Sequence, residues 1–277
     1  MRRSRRARAR TARPPIVVLV LAAVGTAFFA VPFVGLVWQA PWGSAWSTLT
    51  SDAALTALRL SLWCSLLATV AALILGVPLA WTLARVSFPG RGVVRALCTL
   101  SMVLPPVVAG VALFAALGRR GLIGQYLDEW FGVRLPFTTP AVVIAQTFVA
   151  MPFLVVTVEA ALRQQDTRFE DAARTLGAGR WFVFWRVTMP AIRPGLIAGT
   201  VLAWARALGE FGATVTFAGS FPGRTQTMPL AINIANEVRP QEAIVLSLVL
   251  VAVSFGVLIG LRDRYLAGAS GPVGPMP

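Results

Sequence analysis

What most limits the fold of this chain is a succession of apolar stretches, each long enough to cross a bilayer. They lie at residues 16–38, 55–84, 96–117, 141–162, 195–217 and between about 243 and 261. About 20 predominantly apolar residues in helical conformation span a hydrocarbon core of roughly 30 Å. Inside that core only helices and closed barrels satisfy their own backbone groups. The pattern therefore predicts an all-α membrane protein with six transmembrane helices. A hydrophobic content of 57% and a mean hydropathy of +0.73 exclude a soluble domain of ordinary composition.

Charge orients the helices. All 25 basic residues are Arg, against 11 acidic residues and no His. Seven Arg fall in the first 13 residues, three between 85 and 95, six between 163 and 193, and two at 262 and 264, so they flank alternate apolar stretches. The positive-inside rule then places both termini in the cytoplasm. The basic excess is thereby assigned to orientation, and a nucleic-acid partner is not expected. Without His the commonest general base is missing, which argues against an intramembrane enzyme. Cys64 and Cys98 have no Cys or His at ligand spacing, so neither a disulfide framework nor a metal site follows.

In chain order, residues 1–15 read as a basic cytoplasmic arm and 16–54 as a first transmembrane helix with an external loop carrying Trp42 and Trp46. Residues 55–262 form a core of five further helices, and 263–277 a flexible tail. Ser61, Ser65 and Thr69 lie at i, i+4, i+8, a polar stripe that either lines a pathway or packs between helices. Pro105 and Pro106 interrupt the third helix and mark a packing kink or a hinge beside a translocation path. The following loop, 118–139, fits the topology least well because it holds Arg119, Arg120 and Arg134, with Asp128 and Glu129 to offset two of them. The fifth helix, 195–217, contains Arg206 and Glu210 at ion-pair spacing, with Gly209 and Gly212 permitting close approach. Charges at such depth face a bundle interior or a wet cavity, so these residues either lock helices together or stand at a pathway or gate. Residues 219–243 read as an external loop.

The loop at 163–193 is the most distinctive stretch. Its run EDAARTLGAGRWFVFWRVTMP predicts a short helix over 170–176 with Glu170 and Asp171 at its start, a turn at Gly177, and a second short helix with Trp181 and Trp185 stacked at i, i+4. Alone, it reads as a basic amphipathic loop on the lipid surface. Its spacing, however, resembles the EAA loop of the membrane subunits of ATP-binding cassette importers. That pattern has Glu-Ala-Ala, three residues, Gly, nine residues, then Ile-x-Leu-Pro. Here it becomes Asp171, Ala172, Ala173, Gly177, Val187, Met189 and Pro190, with Glu170 adjacent as a possible substitute acid. The resemblance implies a type I importer permease in which Glu170, Asp171, Ala172, Ala173, Gly177 and Pro190 couple the chain to a cytosolic ATPase.

The runs ARALGEFGATVTFAG and PGRTQTMPLAI narrow the resemblance to the molybdate and sulfate branch, the second favouring molybdate, although Asn233 stands where Tyr is expected after PLAI. It implies a homodimer in a bacterial cell membrane. Its partners would be two ABC ATPase subunits and a periplasmic or extracellular oxyanion-binding protein. The chain has no GxxxxGK[ST] loop, so no cofactor is expected in it, and ATP-Mg would sit on the ATPase. A sulfate, thiosulfate or tungstate permease is the alternative within the branch. An ATPase-independent secondary transporter or channel using Arg206 and Glu210 is the more distant one, and it leaves the spacing from Asp171 to Pro190 without a purpose.

Overall fold

Four helices among the described residues are long and apolar enough to cross a membrane: Ile16–Trp38, Asp52–Arg85, Thr139–Gln164 and Pro240–Val257. The computed structural model describes residues 15–269, the side chains of 258 and 260–269 aside. The arm before Pro15 and the tail from 270 lie outside the described residues. In chain order the elements are α1 (Ile16–Trp38), α2 (Trp42–Leu49), α3 (Asp52–Arg85), α4 (Arg91–Val103), α5 (Pro106–Leu117), α6 (Gly124–Phe131) and α7 (Thr139–Gln164). There follow α8 (Arg168–Thr175), α9 (Arg180–Val183), a π-helical turn (Phe184–Thr188), α10 (Met189–Ala191), α11 (Arg193–Leu208), α12 (Gly212–Ala218), α13 (Met228–Val238) and α14 (Pro240–Ala269).

Two expected crossings are each split in two. The third becomes α4 and α5, and the fifth, read from sequence as continuous, becomes α11 and α12. The stretches read as external loops contain the short helices α2, α6 and α13, and α14 begins earlier and runs further than the sixth apolar stretch suggested.

Helix α7 is the axis of the bundle, with α3, α11, α12 and α4 packed around it. In lipid there is no hydrophobic drive between apolar helices, so close approach through small residues decides which faces meet. The buried face of α3 shows this, with Ala57, Ser61, Ser65, Ala68, Ala72 and Gly76 recurring at three- and four-residue steps. A Cβ on Gly76 would stand 3.1 Å from Leu154 on α7, and one on Gly199 of α11 would stand 3.2 Å from the same side chain. Leu154 thus fills the space that two glycines leave. The polar stripe belongs to this packing. Ser61 Oγ accepts the Met228 N–H at 2.6 Å, while Thr69 donates to its own helix through the Ser65 carbonyl at 2.7 Å. Helix α1, by contrast, buries none of its side chains among the described residues.

At one end of the bundle the arginines are structural. The Leu83 carbonyl, among those that α3 leaves without a helical partner at its C-terminus, receives donors from Arg91, Arg95 and Arg163. Glu159 on α7, buried, binds Arg95 at 2.6 Å across the helices and Arg163 at 2.8 Å along its own. One carboxylate thereby ties the ends of α3, α4 and α7. Replacing Glu159 with Gln leaves three guanidinium groups converging without a counter-charge and is expected to destabilise the fold by about 2 kcal/mol. A melting curve of the purified variant checks this, and an unchanged midpoint would assign the cluster no structural role.

Beyond the other end of the spans, Asp128 on α6 accepts from both Arg119 and Arg134 at 2.8 Å. Hydrogen bonds from Arg134 and then Arg119 hold its carboxyl below the usual carboxylate range. Two of the three arginines that strain the topology are paired with this one acid, which offsets one of their two charges.

Candidate functional site

The stretch 163–193 folds as the sequence predicts in its first half. Helix α8 carries Glu170 and Asp171 in its first turn and ends at Thr175. Gly177 then adopts φ +86°. Its N–H binds the Arg174 carbonyl at 3.0 Å, and the Ala178 N–H reaches back to Ala173 at 3.0 Å. These two bonds make a Schellman C-cap, in which the residue after the helix must be left-handed. No other atom would approach a Cβ on Gly177, so backbone conformation alone demands the glycine.

The two acids divide their roles. Asp171, at the Glu position of the EAA pattern, is exposed and among the described residues reaches only Arg174, at 3.4 Å. Glu170 is buried. Its carboxylate takes Arg85 from the end of α3 at 3.2 Å, the Thr188 hydroxyl at 3.0 Å and Arg174 at 3.6 Å. Glu170 therefore fastens α8, a platform at the end of the bundle, to α3 and leaves Asp171, Ala172 and Leu176 on the open face, the last 88% exposed.

The second half departs from expectation. In place of one short helix the chain forms α9 and a single π-helical turn. Trp181 and Trp185 meet edge to face at 5.7 Å, and the ring stacked on Trp181 is Phe184, at 6.0 Å. Beyond it, Met189 and Ile192 re-enter the core, with Pro190 between them in the first turn of α10. A π turn widens the helix by one residue per turn and often accompanies function.

The second group of candidate residues comes together from distant parts of the chain. Leu104 and Pro105 each precede a proline, which disfavours helical backbone, and both are extended, at ψ 135° and 133°. Pro106 then starts α5 at a position where a missing N–H costs nothing. The other break, Gly209 to Phe211, lies between α11 and α12. Here Glu210 is buried, pairs with Arg206 at 2.5 Å, and accepts the Ala213 N–H of α12 at 2.8 Å. The acid thus spans the gap that Gly209 opens.

The two breaks touch. A Cβ on Gly212 would lie 2.6 Å from Pro106 Cβ and 3.2 Å from the Val107 nitrogen. One turn on, a Cβ on Gly110 would lie 2.5 Å from Thr216 Cβ and 3.1 Å from Ala213 Cα. Helices α5 and α12 consequently pack backbone to backbone as a pair of half-helices. Gly209 has no such neighbour, its nearest outside atom being the Ala205 carbonyl oxygen at 3.6 Å.

Sequence reading passed over Glu159 and the part played by Arg85. A lone acid inside the fourth apolar stretch, with Arg163 four residues on, was the available signal for the first. For Arg85 there was none, since its partner lies 85 residues away.

The family model for binding-protein-dependent transport system inner membrane components matches residues 72–267. The chain is 46% identical over 253 residues to the molybdenum transport system permease protein ModB of Mycobacterium tuberculosis, covering 91% of this chain and 95% of that one. It is 38% identical over 201 residues to the sulfate transport system permease protein CysW of a Synechocystis species, covering 71% and 72%. Among solved structures, a bacterial ABC transporter involved in the import of the acidic polysaccharide alginate aligns with TM-score 0.74 at 18% identity, over 91% of this chain and 95% of that one. At that identity the likeness shows the fold alone.

Proposed function

The chain belongs to the family of binding-protein-dependent transport system inner membrane components, and from that we propose that it forms the translocation pathway of an ATP-driven importer of molybdate. It is a multi-pass protein of the cell membrane and a non-catalytic subunit. The observation that carries the substrate is the 46% identity to a molybdenum permease along nearly the whole of both chains, against 38% to a sulfate permease over about 70%. Sulfate is the second reading for that reason.

In this reading the chain crosses the membrane six times with both termini in the cytoplasm, α4 with α5 and α11 with α12 each making one interrupted crossing. Two copies enclose one pathway about a twofold axis. The open face of α8, with Asp171, Ala172 and Ala173, seats in a cytosolic ATPase that holds ATP-Mg. Glu170 passes its displacement to the end of α3. The half-helix pair α5 and α12, with Pro105, Pro106, Arg206, Gly209, Glu210 and Gly212, is the hinge at the gate. An external binding protein delivers the oxyanion. Arg206 makes a poor high-affinity anion site because Glu210 already neutralises it. A weakly adhesive path suits release.

Cellular molybdenum, measured by elemental mass spectrometry in a deletion strain and its complement at limiting molybdate, tests the substrate. Deletion is expected to lower molybdenum at least tenfold, with complementation restoring it in the presence of excess sulfate. Unchanged molybdenum with defective sulfate uptake would transfer the assignment to sulfate.

A further inference from the structure

Beside the platform, an apolar groove of about 710 Å³ runs along α3 past Leu73, Ile74, Val77 and Trp81 and ends against Trp181 and Trp185. A polar cavity of about 530 Å³ adjoins it and holds Arg85, Arg174 and Arg180 with Glu170 and Asp171. The two share Trp81, Arg180 and Phe184, so they form one continuous site with an oily arm and a charged head.

The charges in the head do not cancel. Three guanidinium groups face two carboxylates, an excess of one positive charge. Glu170 is already saturated by Arg85, Arg174 and Thr188, and Asp171 is engaged with Arg174. Arg180 stands at the shared mouth with no ion pair among the described residues, and the Nε of Arg85 is buried without an acceptor. The oily arm faces outward, with Ile74 65% and Trp181 73% exposed, on a helix long and apolar enough to cross the bilayer. Arg85 closes that helix, which sets the head at the level where Trp and Arg mark the membrane boundary.

We propose that this site holds one anionic phospholipid, an acyl chain lying against Leu73, Ile74 and Val77 and the phosphate bound by Arg180. A guanidinium fork is suited to two phosphate oxygens at once. An acyl chain fills the groove without the cost of ordering a peptide. The excess positive charge selects lipids of net negative charge over zwitterionic ones. Arg180 lines the same cavity as Arg85, Arg174 and Thr188, which hold Glu170, so occupancy of the site steadies α8. This inference depends on the chain lying in a membrane and is independent of which oxyanion it carries.

Native mass spectrometry of the purified full chain, titrated with phosphatidylglycerol or phosphatidylcholine, tests it. One phosphatidylglycerol per chain is expected to be retained with at least a tenfold preference over phosphatidylcholine. Arg180→Gln should erase most of that preference, and Arg180→Lys, which keeps the charge and loses the fork, should retain part of it. Val77→Trp, which fills the arm, should lose both lipids. Equal retention of the two lipids by the unaltered chain, or a preference surviving in R180Q, would overturn the proposal. So would Ile74→Cys cross-linking two chains in native membranes, in a background with Cys64 and Cys98 replaced by Ala, because a second copy would then cover the groove.

Discussion

Replacing Gly177 with Val is expected to abolish uptake while leaving the protein in the membrane at its usual level. The reason is the backbone. At φ +86° a side chain with a Cβ is strained by roughly 1–2 kcal/mol, and a β-branched one by more. There is open space around the residue, so the strain cannot be attributed to a clash. Relief requires Gly177 to leave the left-handed region, which breaks the bonds from Gly177 to Arg174 and from Ala178 to Ala173. The end of α8 then unravels where the ATPase is proposed to bind. A strain of about 1.4 kcal/mol already reduces the competent form tenfold. The bundle itself should be untouched, since a Cβ at this position meets nothing within 4 Å among the described residues. Asn tolerates the left-handed region best among the other residues, so Gly177→Asn should retain much of the activity. Radiolabelled or elemental uptake, beside a membrane immunoblot, reads both. Normal uptake by the Val variant would remove the coupling assignment.

Gly212→Val should impair transport as severely, by a different route. Here conformation is ordinary and space is absent, because the new Cβ would meet Pro106 Cβ at 2.6 Å and backbone atoms of Pro106 and Val107 at 3.2 to 3.3 Å. A proline ring and main chain cannot swing aside as a flexible side chain does. Helices α5 and α12 must separate, and overpacking of this kind costs about 1–3 kcal/mol. The expected result is a lowered melting temperature together with loss of uptake. Gly209→Ala is the matched control, since a Cβ there meets nothing closer than 3.6 Å. It should melt like the parent. If G212V transports normally, the contact between the two breaks is not part of the working hinge.

These two glycines also show how far the residue pattern carries. Gly177 was legible because its role is local: a polar helix ends, a glycine follows, and the cap is built from neighbouring residues. Gly212 was legible only as a small residue that could admit a neighbour, and nothing in the chain named Pro106 as that neighbour. The break at Gly209 to Phe211 was missed outright, since ARALGEFGA reads as helix by composition, and Glu210 can cap α12 only once the helix has parted. The helix α13 was hidden in the same way, within a stretch whose polar and small residues resemble a loop until Met228 binds Ser61 on α3.

By itself the sequence determined that the chain is helical and membrane-embedded, because apolar runs of about 20 residues answer to the bilayer and not to any partner in the fold. It also determined helix α8 and its glycine cap, which are built from consecutive residues. Tertiary structure alone decided that Glu170 and not Asp171 is the anchoring acid, that Glu159 gathers Arg95 and Arg163 beneath the Leu83 carbonyl, and that the two helix breaks meet at Gly212. Each of these depends on which helix face lies opposite another. In lipid that choice is made by close packing of small residues, a contest between surfaces that no single segment encodes.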